Sequence, residues 1–133
     1  MKATPSPHPL DFGQRIAVRL MRGAMRSLAA LSRLRPRAEP LTALLQRYGS
    51  RSAETLEWIQ PAPGVTPREP VVYLHGGGWI CGVKELYTSD LAFLALRGHP
   101  VFNLDYPLAP EHPHPLPLLS LLQALDWIRR RHP

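Results

Sequence analysis

Residues 71–82 read VVYLHGGGWICG: four consecutive apolar side chains run straight into three consecutive glycines. A run such as Val71-Val72-Tyr73-Leu74 suits a strand of a parallel sheet covered on both faces, where no polar alternation is needed. The glycines need a separate reason, because glycine weakens regular structure by about 0.5–1 kcal/mol relative to alanine. A turn whose backbone N–H groups point at a closely approaching ligand supplies one. A phosphate or nucleotide turn is the plainer alternative. However, HGGG has neither the GxGxxG spacing nor the GK[ST] ending that such sites require.

Working outward, Ser89 or Asp90 is placed to cap a helix through Leu91, Phe93, Leu94 and Leu96, with Gly98 and Pro100 stopping it. Val101 to Asp105 is a second buried strand. Beyond a proline-crowded loop, Leu118, Leu122, Leu125 and Ile128 mark a helix whose last turn carries Arg129 to Arg131, favourable to its dipole. This succession of strand, loop, helix, strand, loop, helix predicts an α/β fold with a mostly parallel sheet and flanking helices. Upstream, Glu54 to Gln60 reads as a further strand, and PAPGVTPREP is a turn-rich connection.

The first fifty residues differ in character. Through Arg51 there are ten Lys/Arg against two acids, whereas from Ser52 onward there are six against eight. The basic excess therefore lies outside the glycine-bearing part, which argues against a nucleic-acid binder. MKATPSPHP reads as an extended leader. Ile16, Leu20, Met21, Ala24, Leu28 and Leu31 then recur at helical spacing, with Asp11 and Gln14 forming a capping box and Pro36 ending the run. That stripe is expected to be buried, with Arg15, Arg19, Arg22 and Arg26 facing solvent. A second short helix is expected over Leu41 to Tyr48, closing at Gly49. Arginines interrupt the one candidate signal or membrane segment, so a cytoplasmic protein is expected and membrane association is disfavoured. Cys81, the single cysteine, excludes an internal disulfide and reads as a small buried hydrophobe.

HGGGW after an apolar strand resembles the oxyanion loop of hormone-sensitive-lipase-like α/β-hydrolase esterases and lipases. DYPLAPEHPHP (Asp105 to Pro115) lies one helix and one strand later and is similar to that family's DYRLAPEHPFP stretch. The resemblance implies the N-terminal portion of an α/β-hydrolase fold, with cap-type helices over residues 1–50 and the first part of the core over residues 51–133. It implies hydrolysis of a small-molecule carboxylic ester, with no cofactor. Gly77 and Gly78 would be the oxyanion donors and Gly76 would free the turn. His75, Trp79, Asp105, Tyr106 and Glu111 would support the loop. Asp105 precedes the elbow and so does not match the triad acid. His112 and His114 offer two of the three or four ligands a metal wants, so no metal site is expected.

The sequence departs from the family at Pro107, where arginine is usual, and at His114, where an aromatic residue is usual. Proline cannot replace a planar five-donor guanidinium. None of the serines (6, 27, 32, 50, 52, 89 and 120) stands in G-x-S-x-G. The resemblance places the nucleophile elbow one strand beyond Arg131, with the triad acid and base further on. The chain is therefore expected to be inactive alone, with VVYL as an aggregation-prone open edge, pending a C-terminal half or an oligomeric partner. The alternative is a short non-catalytic protein that pairs with a separate chain completing the hydrolase.

Overall fold

A computed structural model describes residues 10–32, 34 and 41–132. The elements are α1 (Phe12–Ser32), β1 (Ala43–Arg47), β2 (Thr55–Ile59), β3 (Val71–Leu74), a 3-10 turn (Lys84–Leu86), α2 (Thr88–Leu96), β4 (Val101–Leu104) and α3 (Leu116–Arg131). The leader Met1 to Pro9 and the helix-ending Pro36 lie outside the described residues.

The strands form one sheet in the order β1-β2-β4-β3. β3 and β4 run parallel in the register Val71↔Val101 to Leu74↔Leu104, and α2 makes the connection between them. β2 is antiparallel to both β4 and β1. The apolar runs are explained by what covers each face. Val72, Leu74, Phe102 and Leu104 pack with Leu56, Tyr48, Ala124 and Ile128 toward α3. Val71, Tyr73 and Val101 turn the other way, toward Leu91 and Ala95 of α2. Successive strand residues point to opposite faces, so a strand covered on both sides is apolar except where a buried polar group finds a partner, as Asn103 does in the Lys84 carbonyl. Each fully buried Leu, Val or Phe contributes roughly 1.5–3 kcal/mol.

Three local expectations are corrected. Leu41 to Tyr48 does not form a helix: residues 43–47 are strand β1, paired residue for residue with β2 from Ala43↔Ile59 to Arg47↔Thr55. The ladder, and the burial of Tyr48 with its hydroxyl donating to the Asp105 carbonyl at 2.7 Å, outweigh the local helical pattern. Neither Ser89 nor Asp90 caps α2. The helix starts at Thr88, after Tyr87 and without a side-chain cap, and the Thr88 hydroxyl donates to Glu57 instead.

The third correction concerns α1. Its capping box forms as expected, Asp11 N donating to Gln14 Oε1 at 3.0 Å and Gln14 N to Asp11 Oδ1 at 2.8 Å. Arg15, Arg19 and Arg26 face solvent as expected, but the apolar stripe does not face inward and Arg22 does. Phe12, Ile16, Leu20, Leu28 and Leu31 are exposed, whereas Val18 and Ala29 are buried and Arg22 is half-buried. The surface under α1 is polar, made of the carbonyls of Ile80, Glu85 and Ala109 and the carboxylate of Glu111. A face of small residues around one guanidinium satisfies it; a stripe of leucines would leave those acceptors without donors.

Candidate active site

The glycine turn leaves the C-terminal end of β3, beside the C-terminal end of its parallel neighbour β4. Its conformational demands fall on four residues, the last of them Gly82 at φ +106. Gly77 has φ +131 and Gly78 φ +60, and Trp79 adopts φ 66, unusual for a residue with a side chain. Gly76 shows no positive φ, and a Cβ there would meet only the Tyr87 hydroxyl at 3.9 Å, so the freedom of the turn lies in Gly77 and Gly78. At Gly77 a Cβ would fall 2.1 Å from the carbonyl oxygen of Cys81. The turn folds back on itself there: Ile80 N and Cys81 N both donate to the Gly77 carbonyl at 3.1 Å, and the Cys81 thiol approaches the same oxygen at 3.3 Å. The Gly77 carbonyl is thus occupied. Among the described residues, the Gly77 and Gly78 amides donate to no backbone carbonyl.

The residues expected to support this loop are gathered around it. His75 is 3% exposed, with Nδ1 2.9 Å from the Gly76 carbonyl and Nε2 3.4 Å from Asp105 Oδ1. Its ring stacks on Tyr106 at 4.5 Å, and the Tyr106 hydroxyl donates to the His75 carbonyl at 2.6 Å. Burial pushes the Tyr106 hydroxyl up to about 12, so it remains a donor throughout the neutral range. Trp79 is exposed, its ring 5.3 Å from Tyr106 and its carbonyl accepting from Ala109 N at 2.8 Å. That last bond ties the glycine turn to the proline-rich loop directly.

Asp105 is held by a group that the sequence reading did not single out. Lys84 is 3% exposed; its ammonium reaches Asp105 Oδ2 at 2.7 Å and Glu85 Oε1 at 2.9 Å, and its amide donates to Asp105 Oδ1 at 2.7 Å. Burial opposes ionisation of Asp105, but the His75 hydrogen bond and the Lys84 cation outweigh it and hold the carboxyl below its usual range. Burial likewise opposes the charge on Lys84, and the Asp105 carboxylate more than compensates, raising the ammonium above its usual range. The Lys84 carbonyl accepts from the buried Asn103 side chain at 2.9 Å, so this ion pair is built into β4. No spacing rule links a lysine in GVKEL to an aspartate twenty-one residues on; the contact exists only because β4 lies beside the end of the turn.

Glu111 is not buried, but its carboxylate is engaged by Arg22 at 2.9 and 3.0 Å, and that hydrogen bond lowers its pKa. Pro107 is fully buried. A cleft of about 580 Å³ opens behind the turn, walled by Arg22, Arg26, His75, Asp105, Tyr106 and His112. Gly77 and Gly78 are not among its walls, and the three turn residues Gly76, Gly78 and Trp79 are exposed. Among the described residues, no cluster of three His, Cys, Asp or Glu side chains could hold a metal, and no helix is long and apolar enough to cross a membrane.

A parallel strand pair at the edge of a helix-covered sheet, with a positive-φ glycine turn at its C-terminal end, is an arrangement of α/β proteins. The sequence matches the alpha/beta hydrolase fold family over residues 71–133. It is 33% identical over 91 residues to human hormone-sensitive lipase, a match covering 68% of this chain and 8% of that one. It is 39% identical over 59 residues to the carboxylesterase NlhH of Mycobacterium tuberculosis, covering 44% of this chain and 18% of that enzyme. The fold superposes on the crystal structure of an esterase/lipase from an uncultured bacterium with a TM-score of 0.67 and 25% identity, covering 98% of this chain and 40% of that one. The chain has the α/β-hydrolase fold and is similar to the hormone-sensitive-lipase-like esterases and lipases of that fold. It spans less than half the length of the relatives it matches.

Proposed function

We propose that this chain provides the oxyanion-binding part of a carboxylic ester hydrolase, with Gly77 and Gly78 as the donors. The observation that carries the reading is the pair of positive-φ glycines closing a turn whose carbonyl is bonded internally while their own amides have no backbone acceptor. When a nucleophile adds to an ester carbonyl, negative charge collects on the carbonyl oxygen. Fixed N–H donors stabilise that charge more than the neutral ester, and one such donor is typically worth about 10²–10³ in rate. His75, Tyr106 and Asp105 hold the stem of the turn, Trp79 joins it to the proline-rich loop, and Glu111 anchors that loop through Arg22. The nucleophilic serine and the triad acid and base are contributed by sequence outside residues 1–133, so these residues alone do not turn over.

The test joins this chain to the complementary C-terminal part of the uncultured-bacterium esterase, as a fusion and as two co-expressed chains. Hydrolysis of p-nitrophenyl butyrate is expected from the combination, not from either part, and is expected to fall at least tenfold in Gly77→Ala. Hydrolysis by the 133-residue chain alone above a mock-purified control counts against the reading. So does a folded combination that is inert or indifferent to Gly77.

A further inference from the structure

Arg22 does something that neither the helix pattern nor the family motifs assign to it. From the middle of α1 its Nε donates to the Ile80 carbonyl at 2.8 Å, and Nη2 donates to the Ala109 carbonyl at 2.5 Å. Nη1 reaches Glu111 Oε1 at 3.0 Å and Nη2 lies 2.9 Å from Oε2, a bidentate pair. Ile80 belongs to the glycine turn, its N–H donating to Gly77, whereas Ala109 and Glu111 belong to the proline-rich loop. One planar group thus bridges the glycine turn and the proline-rich loop from a third element. The loop itself has no arginine or lysine between Asp105 and Pro115, and position 107, where the resembled family usually has arginine, is a buried proline.

We propose that Arg22 is a positioning residue for the glycine turn: its guanidinium clamps the Ile80, Ala109 and Glu111 acceptors together, so the turn holds its shape only while α1 is docked. This rests on the oxyanion reading for its catalytic consequence, but not for the clamp itself. Lysine cannot substitute fully, because the three acceptors are met by a rigid planar fork of donors. Seating of the helix and order in the turn are two sides of one equilibrium, so loosening either loosens the other. Val18 and Ala29 are also buried on α1 and, being apolar, offer the turn's carbonyls no donor, which gives a control for helix docking alone.

Hydrogen exchange on the whole chain tests the clamp, comparing Arg22→Ala, Arg22→Lys and Val18→Ala. Arg22→Ala is expected to speed exchange at the Ile80 and Cys81 amides about tenfold, with Arg22→Lys intermediate and α3 unaffected. Val18→Ala is expected to speed exchange in α1 and leave residues 76–82 close to wild type. Equal acceleration of the turn by Val18→Ala and Arg22→Ala overturns the proposal, as does an Arg22→Ala turn that exchanges like wild type. In the reconstituted hydrolase, Arg22→Ala is expected to lower kcat about tenfold with KM within about twofold. Faster exchange with an unchanged kcat overturns the catalytic consequence. If wild-type reconstitution shows no hydrolysis, the oxyanion reading fails and the exchange data still judge the clamp.

Discussion

Replacing Gly77 by alanine probes the turn most directly, and Gly78 provides its internal comparison. At Gly77 two penalties coincide. The backbone sits at φ +131, and a Cβ would lie 2.1 Å from the Cys81 carbonyl oxygen and 2.6 Å from its carbon. The atoms it meets are backbone, tied down by Cys81 N donating to Gly77 O, so they cannot rotate away. Holding a side-chain residue in such a conformation costs about 1–3 kcal/mol. Overpacking adds a similar about 1–3 kcal/mol, giving about 2–6 kcal/mol together. Gly78 sits at φ +60 with nothing within 4 Å of its Cβ position, so alanine there faces only the left-handed penalty of about 1–2 kcal/mol. Urea unfolding followed by tryptophan fluorescence separates the two. With a slope of about 1–3 kcal/mol per molar, Gly77→Ala is expected to lower the midpoint by roughly 1–2 M and Gly78→Ala by well under half of that. Equal midpoints would refute the close packing of Gly77 on Cys81, and with it the reason for glycine at that position.

Other predictions follow from the ion pair, the exposed apolar stripe of α1 and the carboxylates. Lys84→Met is expected to destabilise by about 3–5 kcal/mol because it leaves a largely buried carboxylate without its cation, and adding Asp105→Asn is expected to restore most of the loss; additive single effects in urea melts would exclude a coupled pair. Leu20→Glu and Leu28→Glu, on the exposed stripe of α1, are expected to change stability by no more than about 0.5 kcal/mol, whereas Val18→Asp is expected to release the helix, read by far-UV circular dichroism and proteolysis. Acid sensitivity has a defined direction. Glu54, bonded by Arg51 at 2.8 Å, and Asp105 and Glu111 are all lowered in the folded chain, so their stabilisation is complete above the ordinary carboxylate values of 3.8 and 4.5 and is lost as pH falls through the lower folded values. Urea midpoints are therefore expected to hold from neutral pH to about 5 and to fall below about pH 4. A loss of stability already complete at pH 5 would contradict the paired state of these groups.

Much of the fold was readable along the chain because its signals are local. The apolar run at 71–74, and the run at 101–104 broken only by Asn103, announce strands covered on both faces, and the structure covers them with α3 and α2. Three glycines after the first run announce a backbone that alanine cannot follow, and Gly77 and Gly78 carry that conformation. The misreadings have a common cause. Residues 41–48 have helical spacing, but five paired positions on β2 decide in favour of a strand, and those partners lie beyond a hairpin. The apolar stripe of α1 has the right period for a buried face. Which face is buried depends on the surface it meets, and that surface consists of acceptors that need Arg22.

The HGGGW turn, the strand it leaves and the helix-strand alternation after it were therefore determined by sequence alone. Each depends on what neighbouring residues can adopt with their own backbone and side chains. The clamp of Arg22 on Ile80, Ala109 and Glu111, and the pairing of Lys84 with Asp105, were decided only by tertiary structure. These contacts join residues 21 to 89 positions apart. Charge-assisted hydrogen bonds form wherever folding brings donor and acceptor within about 3 Å, with no periodicity along the chain to mark them.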